Sequence, residues 1–435
     1  ILQDEGLIQS GGAAFLPSAW GKDGSAFIEY VLTKKGENNK DKILFLTYEF
    51  IDLIKSNGIK KVYFDELASI NKIGFEDYQS PSALSQAVQF GQRIFDWPSE
   101  NLIDYAYVTS VFDADAIKST LAQLTPERSR IYHTGPDEIS NIELQYADGA
   151  YRVESFSAER LTKFSNLNIA LSLPEPEAIE DEQDSILVQS NKFKKPTRIL
   201  EDSGVQVYLS SSQDHQGKDG IMNLTFRSPI TSENVKNLVS ANILTAAFQR
   251  KNLRIIQRAG QRGAFVIPAV NGVGNSFISM SGRTKRHIQY ANDLIDKFIE
   301  FEISERSLRD IKKLYVDSYE SISELAVADQ LEYHALTITK QAPYLYSQKQ
   351  FLSALESVTL EDVKELHKQI LESSFIDIYA HGNYNPDQVV ELAKSTRNKL
   401  GVSSQKTPWH YESEFEVKVG RGLVKKLRMP KDGVG

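Results

Sequence analysis

Cysteine is absent from this chain of 435 residues. Disulfides and thiolate metal ligands are thereby excluded, which fits the cytosol and equally fits a periplasm-like compartment. No apolar run approaches the roughly 20 residues of a membrane-spanning helix, and the chain opens on no signal-peptide pattern. Histidine is scarce, at 7 residues: His133, His215, His287, His334, His367, His381 and His410. No two of them are four residues apart, so His-Glu-x-x-His and its inverse, His-x-x-Glu-His, are both missing. His410 and Glu412 have no cysteines with which to build a deaminase zinc site. A Gly-x-Ser-x-Gly elbow and a phosphate-binding loop are missing as well, and Gly272-Val273-Gly274 reads as a turn. The net charge is −8, and the basic clusters at 192–198, 283–287 and 418–431 are far apart, so neither nucleic acid nor a membrane is expected as a partner. The acidic run 180–184 lacks the glycine turn of a calcium loop and reads as solvated linker.

What the chain does contain is ordinary globular material, 41% hydrophobic and 25% charged, in a length that suits two to three domains. Its most informative stretch is 205–250. Runs of β-branched and aromatic residues at 205–212 and 221–228 flank a polar connection, and their alternation predicts a hairpin with one buried face. Ser228-Pro229 ends the second strand, and Thr231 or Ser232 with Glu233 offers a helix start. The helix that follows carries Val235, Leu238, Val239, Ile243, Leu244, Ala247 and Phe248 on one face.

Upstream, residues 1–25 read as irregular and 27–32 as a strand. Asn39 is placed to cap a helix with an Ile43, Leu46, Phe50, Ile51 and Ile54 stripe, stopped at Asn57-Gly58. Further helices are predicted from about Lys60, from Pro81 (burying Leu84, Val88 and Ile94), over 100–108 and over 113–124, before a strand at 130–134. The pattern then recurs. Ala14-Phe15 is echoed by Ala264-Phe265, Phe27-Ile28 by Phe277-Ile278, and Ile131-Tyr132-His133-Thr134-Gly135 by Ile378-Tyr379-Ala380-His381-Gly382. An ordered series at nearly constant offset signals an internal repeat. His133 and His381 hold matching places in it, as metal ligands or as structural strand-end residues. By that repeat the first copy lacks its opening hairpin and helix, about 60 residues, as an excised piece of a longer protein would. The runs 415–419 and 422–429 likewise read as strands of a further unit. Between the copies, Leu173-Pro174-Glu175-Pro176-Glu177 and the acidic run are linker-like.

Several stretches make the set specific: Leu32-Thr33-Lys34-Lys35-Gly36, Leu124-Thr125-Pro126-Glu127-Arg128, Leu224-Thr225-Phe226-Arg227-Ser228-Pro229 and Tyr379-Ala380-His381-Gly382-Asn383. In this order they resemble the repeated unit of the insulinase/pitrilysin family of zinc metallopeptidases. The resemblance implies an α+β fold of repeated two-layer units, mainly antiparallel sheet with helices on one face (LuxS/insulinase-like). It implies a partial second domain at 1–140, a linker at 141–190, a complete non-catalytic third domain at 191–401, and a linker with the start of a fourth domain at 402–435. In that family the zinc is held by a His-x-x-Glu-His helix of the first domain and a downstream glutamate. The helix in that place here, 235–250, has neither histidine nor glutamate. No catalytic or metal-ligating residue is therefore expected in this chain, and its cofactor set is empty, with zinc expected in the full-length parent.

Two functions are consistent with the resemblance. One is the central region of a zinc metalloendopeptidase, forming part of a peptide-enclosing chamber, with peptide substrates and a missing catalytic lobe as partners. The other is a scaffold or processing-peptidase-like subunit that acts beside a separate catalytic partner. The family's exosite strand, which pairs with a substrate's N-terminal segment away from the zinc, maps onto Ser10, Gly11, Gly12, Ala13, Ala14 and Phe15. The competing expectation there is that the glycines only shape a loop and Ala14-Phe15 enters the core.

Overall fold

A computed structural model describes residues 1–3, 5–17, 24–76, 82–95, 97–104, 107, 111–135, 140–146, 149–155, 159–162, 169–176, 195–211, 219–270, 275–320, 322, 329–331 and 346–400. The chain divides into two compact units, Ile1–Asp181 and Glu182–Gly435.

In the first unit, β1 (Ile8–Pro17) and β2 (Gly24–Leu32) form an antiparallel pair, so the region read as irregular contains a ten-residue strand. Gly11 and Gly12 sit within that strand. Thr33 then caps the short α1 (Lys34–Glu37), accepting from Gly36 N–H while donating to the Gly6 carbonyl at 2.7 Å. Helix α2 (Lys40–Asn57) follows Asn39, which does not cap it as expected: its side-chain amide donates to the Lys35 carbonyl at 2.7 Å instead of accepting from the helix. The helix ends at Gly58, whose φ of 73° suits glycine. It buries Ile43, Phe45, Leu46 and Ile51; Leu7, Ile8 and Ile43 form one small core, and Phe45, Leu46 and Leu161 another. Helix α3 (Lys61–Glu76) and α4 (Ala83–Arg93) come next, then α5 (Ala114–Ala122), N-capped by Asp113. The α4 stripe stays outside: Leu84 is 76% and Val88 52% exposed, because no described element packs on it. Of the helix read at 100–108, a single 3-10 turn, Ser99–Asn101, is described. Residues 130–134 form no strand. An extended segment becomes a strand only with a ladder partner, and no described strand lies beside this one. The short pair β3 (Ile142–Glu143) with β4 (Ala150–Tyr151), and α6 (Glu159–Thr162), complete the unit.

The second unit is built on a six-stranded sheet. Its elements run β5 (Thr197–Asp202), β6 (Val205–Ser210), β7 (Asp219–Arg227), α7 (Val235–Lys251), α8 (Leu253–Gln261), β8 (Ala264–Val270) and β9 (Ser276–Arg283). After them come α9 (His287–Ile299), α10 (Glu305–Glu320), α11 (Gln348–Ser357), α12 (Leu360–Ser373), β10 (Phe375–Gly382) and α13 (Pro386–Leu400). The strand order is β5-β6-β10-β7-β9-β8, antiparallel except for the β6–β10 pair.

The hairpin expected between 205–212 and 221–228 does not form. β10 lies between the two strands, with Ile376 paired to Val205 on one side and Phe226 on the other. β6 instead makes its tight turn backwards, through Ser203-Gly204 to β5, with Gly204 at φ 79°. Leaving room for a third strand requires a connection spanning about 10 Å, two strand spacings, and the long polar run after β6 supplies the length. Helices α7, α9 and α13 lie against the strands, while α10, α11 and α12 pack on α7. That is why α7 is buried beyond its apolar stripe, at Ser240, Ala241 and Thr245 as well. Its N-cap is Asn234, after a 3-10 turn at Pro229–Ser232.

Phe27 and Phe277 both lie on the second strand of an antiparallel pair that leads into a helix. The constant offset fails on the first strand: Phe27 pairs with Ala14, but Phe277 pairs with Ala269, and Ala264 with Gly282. Pairing register is set by where the turn falls, and the two turns fall at different places in the repeat.

Candidate functional site

The expected exosite strand is β1. Ser10 pairs with Val31, Gly11 with Tyr30, Gly12 with Glu29, Ala13 with Ile28, Ala14 with Phe27 and Phe15 with Ala26. All six residues of 10–15 are exposed, and among the described residues no strand pairs with the other side of β1. Phe15 therefore does not enter a core; its ring lies where a Cβ on Gly24 would stand. Phe265, its expected counterpart, is exposed too. The two glycines differ. A Cβ on Gly11 would come within 2.7 Å of the Tyr30 ring, so that glycine makes room for a cross-strand aromatic. A Cβ on Gly12 would meet nothing within 4 Å among the described residues, so none of them requires glycine there.

Helix α7 contains neither histidine nor glutamate. Two ligands one helical turn apart need histidines at such positions, and α7 presents Ser240, Leu244, Thr245 and Phe248 to the interior instead. Among the described residues no three His, Cys, Asp or Glu side chains are grouped to hold a metal ion. The described residues do not fit zinc.

The described histidines have protein partners. His133 accepts from Lys40 Nζ at Nδ1 (3.4 Å) and donates from Nε2 to Glu37 (3.1 Å). His381 Nδ1 meets Ser210 Oγ at 2.8 Å, and that hydroxyl also lies 3.2 Å from Tyr379 Oη. No described carboxylate bonds to the His381 ring, so the Ser–His contact lacks the orienting acid of a nucleophilic triad. His287 is fully buried with Nδ1 2.7 Å from Tyr384 Oη. Burial drives its pKa down to about 4, against the opposing pull of the Ser281 backbone, and burial likewise raises Tyr384. His367 sits between Phe298 and Phe301, its pKa also lowered by burial. Spacing alone could not announce these two: both lie on helices, and the apolar neighbours at 298 and 301 are distant in sequence from 367. His215, His334 and His410, the turn at 272–274, the acidic run 180–184 and the strands read at 415–429 lie outside the described residues.

The solvent-facing side of the second sheet carries the remaining polar groups. Arg227 binds Asp377 through Nε (2.8 Å) and Nη2 (2.5 Å) across adjacent strands.

Comparison with known proteins gives one consistent answer. Residues 75–351 match the model of the middle or third domain of peptidase M16, and residues 357–431 that of the peptidase M16 inactive domain. Protease 3 of Shigella flexneri is 26% identical over 407 residues, which is 92% of this chain and 42% of that protein. The insulin-degrading enzyme of Drosophila melanogaster is 21% identical over 88% of this chain and 39% of its own length. The crystal structure of pitrilysin superposes with a TM-score of 0.72 at 24% identity, covering 93% of this chain and 43% of that one. The chain thus spans less than half the length of these relatives. With a family model covering most of it, on a mixed sheet and helix fold that matches pitrilysin, the chain belongs to the peptidase M16 family, in the middle and inactive-domain region.

Proposed function

We propose that this chain is the non-catalytic central region of an insulinase/pitrilysin-type zinc metalloendopeptidase and forms part of the wall of its peptide-enclosing chamber. Hydrolysis would be supplied by a zinc domain outside this chain. The observation that carries the reading is α7: a helix in the repeat position of a zinc helix, with an apolar interior and no ligand. The names of the relatives, Protease 3 and insulin-degrading enzyme, support peptides as substrates of the parent. The same reading divides the chain into a partial second domain (1–140), a linker (141–190), a third domain (191–401) and the start of a fourth (402–435). Within it, the open edge of β1 at Ser10–Phe15 is the exosite, taking an extended peptide by backbone pairing.

The test compares this chain with the product of its full gene. The full-length protein should contain one zinc and cleave long peptides, and chelation should abolish cleavage. This chain alone should hold no tightly bound zinc and show no cleavage above background. Zinc-dependent hydrolysis by this chain alone would refute the reading. A full-length protein free of zinc and inactive on peptides would favour the scaffold subunit instead.

A further inference from the structure

β8 closes one edge of the six-stranded sheet, and among the described residues no strand lies on its outer side. Arg283 N–H donates to the Gly263 carbonyl at 2.9 Å, which fixes the phase of the β8–β9 ladder. In antiparallel pairing alternate residues then turn their backbone groups outward, here Ala264, Val266 and Pro268. Pro268 has no N–H, and its carbonyl accepts from the Gln249 side chain, so the open stretch ends there. On the solvent face of that stretch stand Phe265 and Ile267, 60% and 54% exposed. Two large apolar side chains at alternate positions of an edge strand are a liability unless something covers them.

The sequence that builds this edge carries charge of one sign. From 234 to 292 the sequence contains no aspartate or glutamate and nine lysines and arginines, in a chain of net charge −8. Helix α8 packs on β8; Arg250 lies in the last turn of α7, Arg254 and Arg258 lie on α8, and Arg262 follows its end. Arg250 and Arg254 are exposed. Two such edges brought together would repel, which disfavours a second copy as the occupant and favours a partner of opposite charge.

We propose that the outer edge of β8 at 264–267 is a docking site for an extended, acidic peptide segment of a partner protein, added to the sheet as a further strand. Its backbone pairs with Ala264 and Val266, its apolar side chains cover Phe265 and Ile267, and its carboxylates meet the exposed Arg250 and Arg254. The site lies in the second unit and does not depend on the reading of β1.

The experiment uses the full 435-residue chain and three labelled ten-residue peptides, followed by fluorescence anisotropy. One alternates valine with glutamate, one alternates valine with lysine, and the third is the glutamate peptide N-methylated at alternate residues. The glutamate peptide should bind at least tenfold more tightly than the lysine peptide, and N-methylation should cost tenfold or more. The exposed double substitution Arg250→Glu/Arg254→Glu, and separately Phe265→Ser, should each weaken binding severalfold without altering the circular dichroism. Hydrogen exchange at the Ala264 and Val266 amides should slow on binding. Equal affinity for the acidic and basic peptides, or no effect of N-methylation, would overturn the proposal. So would sedimentation showing that the chain pairs with itself in a manner lost in Phe265→Ser.

Discussion

Two buried histidines make the folded chain sensitive to acid. His287 titrates near 4 in the folded state instead of near 6.5, and His367 is shifted the same way. Between those two pH values the unfolded chain holds a proton on His287 that the folded chain lacks, so stability falls as pH falls through that window. The slope approaches about 1.4 kcal/mol per pH unit for each histidine fully affected. Urea denaturation at pH 7.5 and pH 5 should show a lower midpoint at pH 5, and His287→Phe or His287→Gln should flatten the difference; an unchanged pH dependence in those variants would remove His287 as its source. A second residue-scale prediction separates the β1 glycines. Gly11→Val must displace the Tyr30 ring and should cost on the order of 1 kcal/mol, the low end of overpacking, whereas Gly12→Val should leave the melting temperature unchanged. Neither distinction was legible in the sequence, where Gly11 and Gly12 are equivalent and the histidines are merely unpaired. Both come from contacts made across the fold.

At the level of elements, legibility followed locality. Helices α2 and α7 were readable because their apolar spacing is local, as is the Asn57-Gly58 stop that ends α2, whereas their N-terminal caps were not: Asn39 makes no side-chain cap bond, and α7 is capped by Asn234 and not by Thr231 or Ser232. The β6–β7 hairpin was misread because the strand that separates them, β10, enters from some 150 residues away, and two strands adjacent in sequence usually pair. β5 was missed because its residues begin inside a basic cluster, and α4 was over-read because an apolar stripe does not say whether anything packs on it. The inserted strand should be where the second unit is most sensitive. Ile378 is fully buried in the middle of β10, and Ile378→Ala should cost about 2–5 kcal/mol, read as a lowered denaturant midpoint. A smaller loss is expected at the start of α12. There Thr359 and Asp362 form a capping box, and Asp362 also meets Lys236 of α7 at 2.7 Å. Burial works to raise the Asp362 pKa, but the hydrogen bonds from Lys236 and Thr359 outweigh it and hold it at about 2. Asp362→Asn removes the ion pair and weakens the cap, for about 1 kcal/mol at neutral pH.

For the whole molecule, the family was legible because an ordered set of short stretches survived across the chain, while the candidate site was reached only through the resemblance, in a stretch whose own residues read as irregular. Geometry sharpens the β1 proposal into a test with a clean variant. β1 has one side bound to β2 and, among the described residues, the other side unpaired. An extended peptide added there gains backbone hydrogen bonds largely regardless of its sequence, provided its chain can approach. A Cβ at Gly12 meets none of the described residues, so a valine there stands beside any strand laid along β1, whereas one at Gly11 collides with Tyr30 first and confounds binding with folding. Gly12→Val in the full-length protein is therefore the informative substitution. If β1 anchors the distal end of long substrates, the variant should raise KM for peptides of about 20 residues or more by severalfold. Cleavage of substrates too short to reach from the zinc to β1 should keep its kcat/KM. Gly12→Ala, with a smaller side chain, should lie between the wild type and the valine variant. Equal losses on long and short peptides would mean that the substitution acts on the catalytic half and not on a distal anchor. Unchanged kinetics on both, in a variant that melts like the wild type, would remove β1 from the substrate path altogether.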